Sequence, residues 1–166
     1  MSYLDKLTEI RHFIFDVDGV LTNGLLQVQE NGELLRQMNT RDGYALKAAL
    51  TQKYKITIIT GGNSKGVINR LQALGISQIY SGITNKLKTL EEMVHNQNLD
   101  LSEVAYMGDD LPDYECMRTV NLAACPADAT TEIKNISQYI SAFNGGEGCV
   151  RDLIEKVLKA QNKWEF

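Results

Sequence analysis

Residues 13–22 read Phe-Ile-Phe-Asp-Val-Asp-Gly-Val-Leu-Thr, and this stretch decides the fold. The mainly apolar residues 12–15 predict a short buried strand that ends at Asp16. Asp18 follows two positions later, and Gly19 lets the backbone turn sharply behind both acids. Two carboxylates ~4 Å apart repel by about 4 kcal/mol at an effective dielectric constant of ~20, so the pair favours a hard divalent cation. The alternative from these residues alone is a structural acidic turn.

Short apolar runs of the same kind recur along the chain and alternate with stretches of helical period. They predict strands at residues 55–60, 78–81, 104–107, 121–124 and 139–141. Between them, apolar side chains repeat at helical spacing. This alternation is typical of βαβ units. It predicts an α/β fold: a Rossmann-like, doubly wound parallel sheet with helices on both faces.

Residues 24–39 interrupt the alternation. Glu30-Asn31-Gly32 separates two extended runs at 25–29 and 33–38, and Asn-Gly in that position is a strong signal for a β-hairpin. Both runs carry apolar side chains, and a lone two-stranded hairpin is only marginally stable in water. We therefore expect the hairpin to pack against its own domain or against another subunit.

The composition excludes several classes of protein. The 166 residues are 43% hydrophobic and 23% charged, as in one ordinary domain spanning residues 1–166. No apolar run is long enough to cross a membrane, and no signal peptide is expected. The net charge is −4 and the basic residues are scattered, which argues against a nucleic-acid partner. Three widely spaced cysteines without a CxxC pair indicate reduced thiols in a cytoplasmic protein.

Polar groups also follow the other predicted strands. Thr60-Gly61-Gly62 offers a hydroxyl and backbone N–H groups ahead of a helix that begins near Ser64, which is a phosphate cradle in outline. Lys86 begins a helix, although a cation there opposes the helix dipole. Asp109, Asp110 and Asp113 follow the strand at 104–107. Since ligands of parallel sheets bind at the carboxyl ends of the strands, we expect these groups to meet.

The order and spacing of these groups resemble the haloacid dehalogenase superfamily of phosphotransferases, over about residues 10–158. Its first motif, hhhDxDGhhT, is matched by residues 13–22, and its second by Thr60-Gly61. Lys86 matches the third motif, and Gly108-Asp109-Asp110 with Asp113 matches the fourth.

A closer resemblance within the superfamily is to the 3-deoxy-D-manno-octulosonate 8-phosphate phosphatases, which serve lipopolysaccharide synthesis. Residues 39–43, the preceding hairpin and Gly145-Gly146-Glu147-Gly148 carry it. This resemblance implies a capless homotetramer. The family usually has arginine directly after the Thr-Gly of the second motif or one residue later, whereas this chain has Gly62 and Asn63 there.

The resemblance also implies roles for individual residues. Asp16 is the nucleophile, Asp18 the general acid and base, and Thr60 with Lys86 binds the phosphoryl oxygens. Mg²⁺ is held by Asp16, Asp109 and the backbone carbonyl of Asp18, with Asp110 and Asp113 acting behind the ligands. The substrate site is implied to comprise Asp18, Asn39, Thr40, Arg41, Asp42, Gly43, Lys47, Gly61, Arg70 and Lys86.

Two alternatives stay open at this point. A phosphatase of nine-carbon keto-acid phosphates has the same capless frame. A phospho-aspartate receiver module also places acids, a hydroxyl and a lysine at strand ends, but its phosphorylated Asp closes the third strand. Here nothing acidic follows Thr60. Neither inter-motif segment has room for a cap domain of ~50 residues or more, which predicts a closed oligomer whose neighbouring subunit covers each site.

Overall fold

The computed structural model describes residues 3–165 and shows an open parallel sheet between two layers of helices. In chain order the elements are α1 (Tyr3–Leu7), β1 (His12–Phe15), β2 (Gln27–Val28), β3 (Leu34–Leu35), α2 (Thr40–Thr51), β4 (Lys55–Ile59), α3 (Lys65–Ala73), β5 (Gln78–Tyr80), α4 (Lys86–Gln97), β6 (Val104–Met107), α5 (Tyr114–Thr119), β7 (Leu122–Cys125), α6 (Thr131–Ile136), β8 (Tyr139–Ile140) and α7 (Cys149–Ala160).

The six strands of the main sheet lie in the order β5-β4-β1-β6-β7-β8, and all their pairings are parallel. Strand β1 is central, because the chain goes first to β4 and β5 on one side and then to β6 on the other. Ligand sites of such sheets lie where the strand order reverses, outside the carboxyl ends of the strands. In this chain that point is the end of β1 and its neighbours.

Alternate residues of β1 bury their side chains in two separate cores. Phe13 and Phe15 lie in a cluster with apolar residues of α2, α3 and α7, whereas Ile14 lies in a cluster with those of α4, α5 and α6. Helices therefore cover both faces of the sheet, and the predicted doubly wound α/β fold is confirmed. The predicted strands agree with the observed ones to within one residue at each end.

The hairpin is shorter than predicted and stands away from the core. Only Gln27–Val28 and Leu34–Leu35 form the ladder, where 25–29 and 33–38 were predicted to be extended. Five of its six apolar side chains are exposed, with Leu25 at 71% and Val28 at 72%, whereas Met38 is partly buried against the core. A ladder with no third strand and no covered face gains little burial, so the pairing stays short. Of the two alternatives expected for the hairpin, packing against its own domain holds for Met38 and not for the exposed side chains, and packing against another subunit stays a prediction.

The remaining segments leave the sheet ends open. Between β1 and β4 the chain contains only the hairpin and α2, and between β4 and α4 only α3 and β5, so within residues 3–165 neither place carries a cap domain. The described residues contain no helix with the length and apolar character needed to span a bilayer. The cysteines, Cys116, Cys125 and Cys149, are all buried and unbridged.

Candidate functional site

The loop after β1 is held by its own backbone. The amide groups of Val20, Leu21 and Thr22 all donate to the carbonyl of Val17, which makes one tight turn. Apolar side chains of this loop are buried in the core and anchor it. Gly19 has φ +87°, and a Cβ there would lie 1.9 Å from the Asp109 carboxylate. The loop therefore needs glycine both for its turn and for the approach of Asp109.

Asp16 lies at the end of β1 and is 7% exposed. Its Oδ1 accepts hydrogen bonds from the Val17 amide at 2.7 Å and lies 2.9 Å from the Lys86 Nζ. Within residues 3–165 no donor is bonded to its Oδ2. Burial raises the pKa of Asp16 to about 6, the nearby Asp113 carboxylate adds to the rise, and Lys86 opposes it.

Lys86 is the first residue of α4, where Asn85 caps the helix by accepting from the Lys88 amide. Its Nζ also donates to Asp113 Oδ1 at 2.7 Å. Burial lowers the pKa of Lys86, but the adjoining Asp113 and Asp16 carboxylates more than reverse this and shift it upward. The two carboxylates explain how a lysine is retained at the positive end of a helix.

Three carboxylates meet beside this lysine. Asp16, Asp109 and Asp113 each offer one oxygen within 4.8 Å of the others. Asp113 is buried and also accepts from the Tyr106 hydroxyl at 2.8 Å. Burial raises the pKa of Asp109 to about 8, with Asp16 and Asp113 adding to the rise. One ammonium does not balance three carboxylates, and their oxygens are the ligands that a hard divalent cation prefers. The donor set therefore fits Mg²⁺.

Thr60 and Gly61 face this cluster from the end of β4. The Thr60 hydroxyl accepts from the Gly62 amide at 3.2 Å, and Gly62 in turn accepts from the Gly82 amide, which ties this loop to the end of β5. Ser64 caps α3 by accepting from the Val67 amide. The loop and the start of α3 therefore lie where sequence predicted them.

These groups line one cavity of about 450 Å³, here called the catalytic cavity because it holds the residues predicted to be catalytic. Of the predicted residues, it is lined by Asp16, Asp18, Thr60, Gly61, Lys86, Asp109, Asp110 and Asp113. Asp110 caps the 3-10 turn Leu111–Asp113 by accepting from the Leu111 amide. The structure thus brings together the four strand-end motifs, as the sequence predicted.

A larger space, here called the hairpin cleft, adjoins the catalytic cavity. It measures about 890 Å³ and lies between the hairpin and the start of α3. Arg70 lines it, and a Cβ on Gly43 would lie 2.8 Å from the Arg70 guanidinium. Gly43 therefore lets Arg70 pack close to α2.

Most of the other predicted substrate residues lie outside both spaces in the single chain. Asn39 caps α2 and donates from its Nδ2 to the Gly146 carbonyl. Thr40, Arg41 and Lys47 are exposed on α2. Asp42 is buried and accepts from the Arg151 amide at 2.8 Å, so its carboxylate serves the start of α7. The predicted contact of these residues with substrate stays a prediction.

Two residues of the site were missed by the sequence analysis. Arg36 of the hairpin forms a two-point ion pair with Asp18, and Tyr106 of β6 binds Asp113. A tyrosine in a buried strand needs a partner for its hydroxyl, which is a usable signal for Tyr106. Nothing local marks Arg36, because its partner is 18 residues away across a loop.

Comparisons with known proteins agree with this geometry. Residues 75–153 match the model of the haloacid dehalogenase-like hydrolase family. The chain is 40% identical over 158 residues to the 3-deoxy-D-manno-octulosonate 8-phosphate phosphatase KdsC of Escherichia coli K12, covering 95% of this chain and 84% of that protein.

Solved structures show the same similarity. The phosphatase of that description from Vibrio cholerae superposes with a TM-score of 0.93 at 36% identity, covering 98% of this chain and 91% of that one. The enzyme from Moraxella catarrhalis, solved with a magnesium ion, a phosphate ion and a KDO molecule, has a TM-score of 0.93 at 34% identity, covering 97% and 92%. The chain therefore belongs to the haloacid dehalogenase-like hydrolases and, among them, to the family of 3-deoxy-D-manno-octulosonate 8-phosphate phosphatases.

Proposed function

We propose that this protein hydrolyses 3-deoxy-D-manno-octulosonate 8-phosphate to the free keto-acid sugar and phosphate, as a step of lipopolysaccharide precursor synthesis. The observation that carries this is the convergence of Asp16, Thr60, Lys86 and Asp109 in one cavity of a chain 40% identical to phosphatases of that substrate. The receiver alternative loses its basis, because no acid ends β4 and the relatives are phosphatases.

Asp16 is the nucleophile in this proposal. Its Oδ1 is engaged by Val17 and Lys86, so Oδ2 attacks phosphorus and the sugar's ester P–O bond breaks, which leaves an aspartyl-phosphate. Lys86 and the Thr60 hydroxyl bind the phosphoryl oxygens as negative charge develops. Asp16, Asp109 and the Asp18 carbonyl would hold Mg²⁺, which would supply positive charge to balance the phosphoryl group.

Asp18 is the proton carrier. It gives a proton to the departing sugar oxygen and then takes one from the water that attacks the aspartyl-phosphate, which releases phosphate and restores Asp16. Asp113 also holds the Lys86 ammonium, and Asp110 fixes the turn that presents Asp113. The substrate's sugar extends into the hairpin cleft, toward Arg70.

The substrate test is a kcat/KM panel over eight- and nine-carbon keto-sugar phosphates with Mg²⁺. We expect the eight-carbon substrate to be preferred by at least tenfold. A preference for the nine-carbon phosphate would replace the sugar and keep the phosphatase.

The nucleophile is tested by Asp16→Asn, whose amide has a similar shape and is a poor nucleophile. We expect turnover below about 1% of wild type with the melting temperature preserved. Asp100→Asn, an exposed cap of the 3-10 turn at the other end of β6, is the matched control and should leave kcat unchanged. Turnover of Asp16→Asn near the wild-type rate would place the nucleophile elsewhere.

We further propose that the whole chain acts as one domain in a cytoplasmic homotetramer. The exposed apolar side chains of the hairpin and the cleft left open beside it support an assembly that covers both. The three buried, unbridged cysteines support a reducing compartment.

A further inference from the structure

Arg36 is held firmly within a largely exposed hairpin. Its Nε lies 2.7 Å from Asp18 Oδ1 and its Nη2 3.2 Å from Oδ2, while Nη1 donates to the Leu34 carbonyl at 3.0 Å. The Arg36 side chain is 7% exposed, although its hairpin neighbours Leu34 and Leu35 are 42% exposed. All three guanidinium nitrogens are engaged, so the plane of the group is set by the hairpin on one side and by Asp18 on the other.

Gly62 leaves the space that this guanidinium occupies. A Cβ at Gly62 would lie 3.1 Å from Arg36 Nη2, 3.2 Å from Asp18 Oδ2 and 3.7 Å from Thr60 Oγ1. The backbone of Gly62 is not in the left-handed region, so the turn itself does not demand glycine. Arg36 reaches this space from the hairpin.

Asp18 depends on this contact for its orientation. Within residues 3–165 no other group donates a hydrogen bond to its carboxylate, whose side chain is 34% exposed. Asp16, Asp109 and Asp113 are grouped around Lys86, whereas Arg36 holds Asp18 on the side of Gly62. Asp18 and Gly62 line the catalytic cavity, and Arg36 and Gly62 line the hairpin cleft, so the pair stands where the two spaces meet. That is where the bond between phosphate and sugar would lie.

We propose that Arg36 is a positioning residue that holds the Asp18 carboxylate toward the sugar's leaving oxygen. This inference rests on the proposed function. Through Arg36, the hairpin would act directly on proton transfer, independently of any contact that it makes with the substrate.

The test compares Arg36→Ala, Arg36→Lys and the relocated arginine of Arg36→Ala/Gly62→Arg, with Gln37→Ala as the exposed hairpin control. For 3-deoxy-D-manno-octulosonate 8-phosphate, we expect Arg36→Ala to lower kcat about 100-fold with KM changed less than about threefold. Arg36→Lys should have a higher kcat than Arg36→Ala, because its ammonium replaces one of the two guanidinium contacts with Asp18. The relocated arginine should return kcat to within about tenfold of wild type, and Gln37→Ala should match wild type.

A second readout separates positioning from a general loss of structure. Single-turnover release of p-nitrophenolate from p-nitrophenyl phosphate needs no proton donor, because this leaving group is a weak base. Its rate in Arg36→Ala should stay within about threefold of wild type, which also shows that the variant is folded and keeps its nucleophile.

Three results would overturn the inference: an unchanged kcat in Arg36→Ala, a loss confined to KM, or a double variant no better than Arg36→Ala. An equal loss of nitrophenolate release would also overturn it, because Arg36 would then serve the fold or the phosphate. A wild-type protein that hydrolyses neither compound would instead contradict the proposed function.

Discussion

Lys86 and the neighbouring carboxylates set the charge and the protonation of the site. One ammonium stands between Asp16 and Asp113, and Asp109 completes an excess of negative charge. A carboxyl group exposed to water would simply ionise, but burial makes its negative charge costly. Burial therefore raises the pKa of Asp16 to about 6 and that of Asp109 to about 8. The cation that the site binds therefore competes with protons.

This competition predicts a pH-dependent Mg²⁺ affinity. Because the pKa values of both acids are raised, the cation-free site is protonated at low pH, and Mg²⁺ must displace those protons. We expect the Mg²⁺ dissociation constant to fall by at least tenfold as the pH rises from about 6 to about 8. Calorimetric titration in two buffers of different ionisation enthalpy measures both the affinity and the protons released. An affinity that is flat over this range, with no proton release, would contradict the prediction.

At the scale of elements, Asp42 joins α2 to α7. The cap residue of α7 is Gly148, which has no side chain to accept from the free amides of the first turn. Asp42 supplies that acceptor to the Arg151 amide from the neighbouring helix. The buried carboxylate is thus a cap provided across the fold, and its local sequence gives no sign of it.

The same carboxylate predicts a change of stability with pH. Burial raises the pKa of Asp42 from its ordinary value of 3.8 to about 6, so the folded protein holds this proton more tightly than the unfolded chain. The free energy of unfolding contributed by this group must then fall as pH rises from about 4 to about 6. In urea titrations, this fall in the free energy of unfolding should be on the order of 2 kcal/mol for wild type. Asp42→Asn keeps an acceptor oxygen but has no carboxyl group to titrate, so it should not show the fall. Parallel pH profiles of the free energy of unfolding for wild type and Asp42→Asn would contradict this prediction. Glu132→Gln removes an exposed carboxylate and is the control, which should keep the wild-type profile.

The glycine strap, residues 145–148, packs against the loop that follows β1. A Cβ on Gly145 would lie 1.9 Å from the Gly19 carbonyl oxygen, and the Gly146 amide donates to the Val20 carbonyl. The strap therefore supports the backbone between Asp18 and Thr22 from behind. Glycine is needed there for the close approach of two backbones.

We expect Gly145→Ala to lower kcat by at least tenfold, because the loop must shift to make room for the methyl group. The matched control is Gly66→Ala, whose Cβ has no neighbour closer than 3.9 Å and which lies inside α3. That change should leave kcat unchanged and raise the free energy of unfolding by about 0.5–1 kcal/mol. Wild-type kcat in Gly145→Ala would mean that the loop tolerates displacement.

For the whole molecule, the alternation of short apolar runs with helical stretches was enough to predict the layers of the fold. Each motif at a strand end then fell near the others, because parallel strands bring their carboxyl ends to one edge. Contacts between distant segments could not be predicted from the sequence. They are Arg36 with Asp18, Asp42 with Arg151, and Gly145 with Gly19. Such pairs follow from packing in three dimensions and leave no period in the sequence.

The strands of the hairpin are shorter than its sequence pattern predicted. Its apolar residues suggested longer strands, but the ladder covers only Gln27–Val28 and Leu34–Leu35. Helices α1, α5 and α6 have five or six residues each, too few for a helical period to be recognised. Length of the element, more than composition, limited the prediction.

The assembly prediction belongs to this scale. Val28 and Leu35 lie on opposite faces of the hairpin, and each is exposed. If subunits pack through the hairpin, Val28→Asp or Leu35→Asp should lower the mass in light scattering toward the 18.6 kDa monomer. Each should reduce kcat/KM for the sugar phosphate at least tenfold more than for p-nitrophenyl phosphate. Gln37→Asp adds the same charge at an exposed polar position and should keep the wild-type mass. An active wild-type monomer would contradict the proposed assembly.

The burial of all three thiols has a practical consequence for studying the hairpin. A thiol reacts with maleimides as its thiolate, and burial raises the pKa of Cys125 above its ordinary value and that of Cys116 to about 12. Cys149 is enclosed as well and donates to the Val20 carbonyl. A cysteine introduced at exposed Gln37 would therefore be labelled selectively in the native protein, with the three natural cysteines left in place. A fluorophore attached there would report hairpin movement during turnover in an otherwise unaltered chain.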